Sequence, residues 1–224
     1  MATALRNFTL QYNWLIHTFP DRDVPHAAGT YAQRRIIGIG CGDKTYETMF
    51  SPFVKSYLGF EVPDTQHSQT KIEVMRKIFN IPFVDSIFDT VLCTEMREHM
   101  KLPLVTLKEI HRILKISGYC IPTCSFIWHI REELRDFFRY SRFGLQYLFN
   151  QSQLHALELN AVSVFWVTFF QEFVYYLYKF QKNILTRVLF SLLGWGIQRL
   201  GYILEQLDKD GNFATNYLVV AQKR

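Results

Sequence analysis

The residues best suited to chemistry stand in the run Arg35-Ile-Ile-Gly-Ile-Gly-Cys-Gly-Asp43. Gly40 and Gly42 directly follow an apolar segment, so the backbone can turn tightly and approach a ligand, with the N–H groups of a following helix turned toward it. Nineteen residues after Gly42, Tyr57-Leu-Gly-Phe-Glu61 ends a second apolar run in a carboxylate. A carboxylate at that point accepts both hydroxyl protons of a ribose at once, as open α/β sheets do when they hold nucleotides. The cysteines at 41, 93, 120 and 124 lack the paired spacing of a zinc site. Cys41, Cys93 and Cys120 lie in or beside apolar runs, so reduced core thiols and no metal are expected.

These residues need a framework. Alternating apolar runs and helical periodicity from Arg34 to about Ser152 predict a doubly wound parallel sheet. Strands are expected at Arg35 to Ile39, Ser56 to Glu61, Glu73 to Ile78, Phe88 to Cys93 and Gly118 to Cys124. A helix is expected from Leu104 to Leu114, where Val105, Leu107, Ile110, Ile113 and Leu114 form the apolar stripe and Ser117-Gly118 the stop. From Leu154 the composition changes. Nine of the sixteen residues from Phe165 to Phe180 are aromatic. Trp166, Phe169, Phe170, Phe173, Tyr176, Leu177 and Phe180 share one helical face. A second helical run carries Leu193, Ile197, Leu200, Leu204 and Leu207, with Gly194-Trp195-Gly196 as a break, and Phe213 to Ala221 returns to strand chemistry.

A chain of 224 residues with 49% hydrophobic and 20% charged residues buries a core without staples and is too apolar for disorder. The net charge of +5 is spread along the chain. No basic stripe interleaves with aromatics, so nucleic acid is not an expected partner. The N-terminal segment has no continuous apolar stretch of a secretory signal. The uncharged stretch Leu159 to Gln171 is thirteen residues and too short to span a bilayer. A cytoplasmic protein, peripheral to the membrane at most, is expected.

The run Ile81-Pro-Phe-Val-Asp-Ser-Ile-Phe-Asp-Thr-Val-Leu-Cys93, then Glu98-His99, then Leu107-Lys-Glu-Ile-His-Arg-Ile-Leu-Lys115 followed by Gly118, resembles the class I S-adenosylmethionine-dependent methyltransferases. More narrowly it resembles their type 11 branch, and within it the small bacterial proteins with an Asp-Phe-Phe-Arg-Tyr element, here Asp136 to Tyr140. The resemblance covers about Arg34 to Asn150. It implies a Rossmann-like, mostly parallel seven-stranded sheet with a helical insertion before the last strand. The chain then divides into a helical extension (1–33), a cofactor-binding core (34–152), and an aromatic-rich cap with the final strand (153–224).

The resemblance implies S-adenosylmethionine as cofactor. It places Gly38, Gly40, Cys41 and Gly42 in or beside the loop around its methionine part, Glu61 on the ribose, and Asn80 and Ile81 near the adenine. Thr94, Glu95, Glu98 and His99 would line the reaction side, with His99 the candidate base and Glu98 orienting it. Trp128, His129, Asp136, Arg139 and Tyr140 would form an acceptor-side wall, with Asp136 and Arg139 alternatively a local ion pair. The acceptor implied is a small molecule or a glycan.

The chain departs from the family pattern at several points. Gly38 stands where an acid usually precedes the first loop glycine by two residues, and Lys77 where an adenine-side acid usually stands. Arg97, Ile116-Ser117, Arg131 and Leu134 also differ, and Pro122 falls inside a strand. These departures support an alternative of another class, a catalytically impaired binding or scaffold protein. For the aromatic helices three roles are open: internal packing as a lid, a homodimer interface, or contact with membrane lipid through Lys179, Lys182 and Arg187.

Overall fold

The computed structural model describes residues 13–18, 20–63, 71–93, 100–130, 136–208 and 210–224. In chain order the elements are α1 (Trp14–Thr18), α2 (Pro20–Tyr31), β1 (Arg35–Ile39), α3 (Glu47–Phe50), β2 (Ser56–Glu61), β3 (Val74–Met75) and β4 (Phe88–Cys93). There follow α4 (Pro103–Ile113), β5 (Leu114–Ser125), α5 (Arg142–Gln151), β6 (Leu154–Ala161), α6 (Phe165–Leu177), α7 (Ile184–Glu205) and β7 (Asn216–Lys223). The strands form one seven-stranded sheet in the order β3-β2-β1-β4-β5-β7-β6.

Strands β1, β2 and β4 have the bounds their apolar runs predict, because a strand covered on both faces reads as a continuous apolar segment. β1 pairs in parallel with β2 and β4, β2 with β3, and β4 with β5. Ile36, Ile37, Ile39, Phe60, Val91, Leu92 and Cys120 are essentially inaccessible to solvent. On one flank α4 buries Leu107, Ile110 and Ile113, each contributing about 1.5–3 kcal/mol of apolar burial.

Several expectations are corrected. β3 keeps only Val74 and Met75 of the expected Glu73 to Ile78. Val105 is exposed rather than part of the α4 core stripe. No loop separates α4 from β5: the backbone turns extended at Leu114, which pairs with Phe88, and after a bulge Tyr119 pairs with Thr90. Ser117-Gly118, expected to stop the helix, lies in that bulge, with Ser117 at φ 63°. A Cβ on Gly118 would meet the Asp89 carbonyl at 3.0 Å, so the strands approach there only because the residue is glycine. The segment from 153, expected to open the helical cap, begins with strand β6, whose half-exposed alternation disguised it.

The chain divides into two compact units, one of residues 24–126, 130–160 and 217–224, the other of 1–23, 127–129 and 161–216. The first holds the sheet. In the second, α7 runs unbroken through Gly194-Trp195-Gly196, against the expected break. Its N-terminus has a reciprocal cap, with Asn183 accepting from the Thr186 N–H at 2.9 Å and Thr186 Oγ1 accepting from the Asn183 N–H at 3.1 Å. Glu205 at the far end of α7 accepts from the N–H groups of Val164 (2.5 Å) and Val167 (3.0 Å), capping α6 from a distance in sequence. A Cβ on Gly201 would stand 3.0 Å from Phe170, so glycine sets how closely α6 and α7 approach.

The aromatic stripe of α6 faces the other way from a core stripe. Phe169, Phe173, Tyr176 and Phe180 are exposed, whereas Val167, Thr168, Gln171 and Val174 are buried. Internal packing therefore does not account for these four, whereas Trp166, Phe170 and Leu177 of the same stripe are partly buried.

Candidate active site

The end of β1 turns sharply at Gly40 and Gly42, both in the left-handed region with φ of 65° and 49°. Only glycine adopts that conformation without strain. A Cβ on Gly40 would point into open space, so the loop presents bare backbone on that side. The loop is tied to the next strand, as the Gly40 N–H donates to the Phe60 carbonyl at 2.9 Å.

Glu61, at the end of β2, is 3% exposed. Its Oε2 accepts from the Gly42 N–H at 3.0 Å and its Oε1 from the Val62 N–H at 2.9 Å. Each carboxylate oxygen thus takes one backbone donor and keeps capacity for another. The sequence-predicted group of Gly38, Gly40, Cys41, Gly42 and Glu61 is brought together here. Cys41 is half-buried, and burial pushes its thiol up to about 11, with the Glu61 carboxylate acting in the same direction.

Gly38 pairs with Gly59 across β1 and β2, and the two missing side chains leave a trough on one sheet face. Tyr57 fills the Gly38 side: its Oη lies within clashing distance of the point where a Cβ would stand, with Cζ 2.8 Å from that point. Burial pushes this phenol far above its ordinary range, so it stays neutral. Lys44 fills the Gly59 side, its Cε 2.7 Å from the point a Cβ would occupy. Its ammonium donates to Glu73 Oε1 at 2.5 Å and lies 5.7 Å from the Tyr57 ring centroid. Glu73 Oε2 accepts from the Gly59 N–H at 2.6 Å. Burial raises the Glu73 carboxyl, but the Lys44 and Gly59 hydrogen bonds outweigh it and hold the group below its ordinary value. Sequence reading missed this trio. Its signal is the pairing of two glycines on neighbouring strands, which only the register reveals.

Ile81 is buried, and its backbone is fixed from α4: its N–H donates to Glu109 at 3.0 Å and its carbonyl accepts from Arg112 at 2.9 Å. Arg112 also donates to the Phe83 carbonyl (2.7 Å), Asp85 (2.8 Å) and both oxygens of Glu109 (2.9 Å each). The Arg112 guanidinium holds the Glu109 carboxyl below its ordinary value. Asn80 is exposed, its N–H bonded to the Lys77 carbonyl at 3.1 Å. Lys77 lies over the Phe79 ring at 5.8 Å.

Thr94, Glu95, Glu98 and His99 lie outside the described residues. Asp136 and Arg139 form a two-pronged ion pair, Nη2 to Oδ2 at 2.6 Å, with the aspartate side chain only 4% exposed. Tyr140 is buried, and its N–H donates to the Ser125 carbonyl at 3.0 Å. Trp128 and His129 belong to the other unit. There His129 Nδ1 lies 3.0 Å from Glu172 Oε1, and both rings pack against Tyr175.

Residues 37–121 match the family described as a methyltransferase domain, type 11. An uncharacterized protein of Methanocaldococcus jannaschii is 32% identical over 87 residues, which are 38% of this chain and 38% of that protein. The chain thus matches well under half the length of this curated relative. A candidate methyltransferase of Bacillus halodurans C-125 superposes with a TM-score of 0.56 at 14% identity, over 90% of this chain and 97% of that one. Phosphoethanolamine N-methyltransferase 2 of Haemonchus contortus, solved with S-adenosyl-L-methionine, gives 0.55 at 14% identity, over 95% and 56%. Likeness at such identity concerns the fold. The glycine loop, the acid closing β2 and the family match fall on one segment, so what residues 37–121 are similar to is a type 11, class I S-adenosylmethionine-dependent methyltransferase domain.

Proposed function

We propose that this chain binds S-adenosylmethionine above the Gly40–Gly42 loop and methylates a small-molecule or glycan-type acceptor. The observation that carries the reading is Glu61: a buried carboxylate with one backbone donor on each oxygen, set against a loop that presents bare backbone. The cofactor, when bound, supplies a methyl group on a sulfonium, already activated for transfer. The protein's work is then mainly alignment, for which a positioned reactant gains up to about 7 kcal/mol or more of barrier lowering.

Glu61 would orient the cofactor by accepting both ribose hydroxyls, the Gly40–Gly42 backbone would hold its methionine end, and Asn80 with the pinned Ile81 would flank its base. An acceptor hydroxyl or amine must lose a proton, and His99 beside Glu98 is the pair suited to take it. The chain's neutral Tyr57, rather than a carboxylate, fills the place beside Gly38. The second reading, a scaffold protein with impaired cofactor binding, rests on that exchange, because a charge-assisted contact of about 1.5–3 kcal/mol is missing.

Isothermal titration calorimetry with S-adenosylmethionine and its demethylated product separates the two. Saturable binding that weakens roughly tenfold or more in Glu61→Ala, about 1.4 kcal/mol, supports the ribose role. No heat at millimolar ligand from a folded protein overturns the enzyme reading and leaves the scaffold.

A further inference from the structure

Helix α7 has its amphipathic order reversed. The residues it buries are Gly194, Gln198, Gly201 and Glu205, whereas Leu185, Val188, Leu189, Leu192, Trp195 and Ile203 are each more than half exposed. At 3.6 residues per turn the two sets fall on opposite sides of the helix. Helix α6 repeats the arrangement, with Gln171 and Thr168 buried and Phe169, Phe173 and Tyr176 outside, a ladder that Phe180 continues just past the helix end. Phe169 and Phe173 stack on each other at 6.2 Å, an ordered aromatic surface.

On α7 the inward polar groups are satisfied, which lets the reversal persist there. Gln198 accepts from the Leu15 N–H at 3.3 Å and donates to the Gly194 carbonyl at 3.3 Å, and Glu205 caps α6. A contiguous apolar helix face of this kind marks an interaction site.

Charge identifies the occupant. Between Glu172 and Glu205 the chain carries no acid and four bases, Lys179, Lys182, Arg187 and Arg199. Two of the bases lie on aromatic rings, Lys179 over Tyr176 at 4.7 Å and Arg199 over Trp14 at 4.0 Å and Trp195 at 5.5 Å. Aromatic rings with long cationic side chains beside an apolar face suit the headgroup level of a bilayer, where the stem is buried and the charge meets phosphate. A second copy of the same face would bring Arg199 and the neighbouring Lys179 and Lys182 against their copies, with no acid from 173 to 204 to offset them. Among the described residues no helix is long and apolar enough to cross a membrane, so the contact is interfacial.

We infer that the α6–α7 pair is a docking surface for an anionic lipid bilayer, with the Leu185, Leu189 and Leu192 side of α7 entering the interfacial layer. This does not depend on the methyl-transfer reading, and its test contains no cofactor. The full chain is floated with vesicles of phosphatidylcholine alone and with one quarter phosphatidylglycerol. It should rise with the anionic vesicles and stay down with the neutral ones. Partitioning should fall roughly tenfold or more in Leu185→Glu/Leu192→Glu, exposed positions whose change leaves the circular dichroism intact, and in Lys179→Glu/Lys182→Glu. A protein that stays at the bottom with anionic vesicles overturns the inference, and a dimer in sedimentation that these leucine changes dissociate would assign the face to a second copy. Equal flotation with neutral vesicles would overturn the anionic part.

Discussion

The hydroxyl of Tyr57 occupies the space that a side chain on Gly38 would need. The two residues are therefore sterically coupled: the buried phenol of β2 fills the room that the missing side chain of Gly38 leaves on β1. Gly38→Ala should destabilise the protein by about 1–3 kcal/mol through overpacking, and Tyr57→Leu by a comparable amount through lost packing. In the double variant the two effects should not add, with a coupling of about 1 kcal/mol or more in urea unfolding. Strict additivity would mean the phenol is free to move aside.

Arg112 ties α4 to the segment beside the candidate adenine position. Replacing it with Lys keeps the charge but loses the forked bonds to Glu109 and cannot hold Ile81, Phe83 and Asp85 together, a loss of about 1–3 kcal/mol. Glu109 has a depressed carboxyl in the folded state, so its contribution is complete above the unfolded value of about 4.3 and is lost as the pH falls through the lower folded value. Wild-type stability measured by urea unfolding should decline below about pH 4.3 more steeply than that of Arg112→Lys. Parallel curves would separate Glu109 from the acid transition.

Glu205 should matter to α6, though it stands in α7. Glu205→Ala leaves the Val164 and Val167 N–H groups without their acceptor, for a loss of about 1–2 kcal/mol. Hydrogen exchange at those two amides should speed up while amides in the middle of α7 change little. Unchanged exchange at Val164 and Val167 would show that the cap is replaced by water at no loss.

Cys41 sits in the loop yet should be a poor nucleophile. With its thiol pushed up to about 11, the thiolate at pH 8 is scarcer than for a free cysteine by about two orders of magnitude. Alkylation by iodoacetamide, followed by peptide mass spectrometry, should be slow at pH 8 and rise about tenfold per pH unit. A rate equal to that of free cysteine would contradict the burial argument.

The parts of this architecture legible in the sequence are those set by local chemistry. Apolar runs gave β1, β2 and β4 their bounds, and Glu61, expected at the end of a strand, closes β2, where it accepts the Gly42 N–H at 3.0 Å. What stayed hidden depends on partners distant in sequence. β6 is half-exposed and alternates with polar residues, so it read as the start of a helical region. The hydrophobic periodicity of α6 and α7 predicts helices but leaves open which side is buried, since a moment gives a direction without saying whether it points to core or surroundings. Gly194-Trp195-Gly196 read as a break, yet Gly194 is buried in an unbroken helix. Tyr57 and Lys44 could not be found without the pairing of Gly38 and Gly59.

The order of strands has a consequence for synthesis on the ribosome. β7 lies between β5 and β6, so β6, once made, has no neighbour in the sheet until residues 162–215 have been translated and β7 follows. During that interval the edge of β5 and the backbone of β6 stand open, while the outward apolar side of α7 is already exposed to whatever surrounds the nascent chain. The elongation rate across this stretch sets how long both hazards last, and a pause there would favour aggregation or early capture of the helices over completion of the sheet.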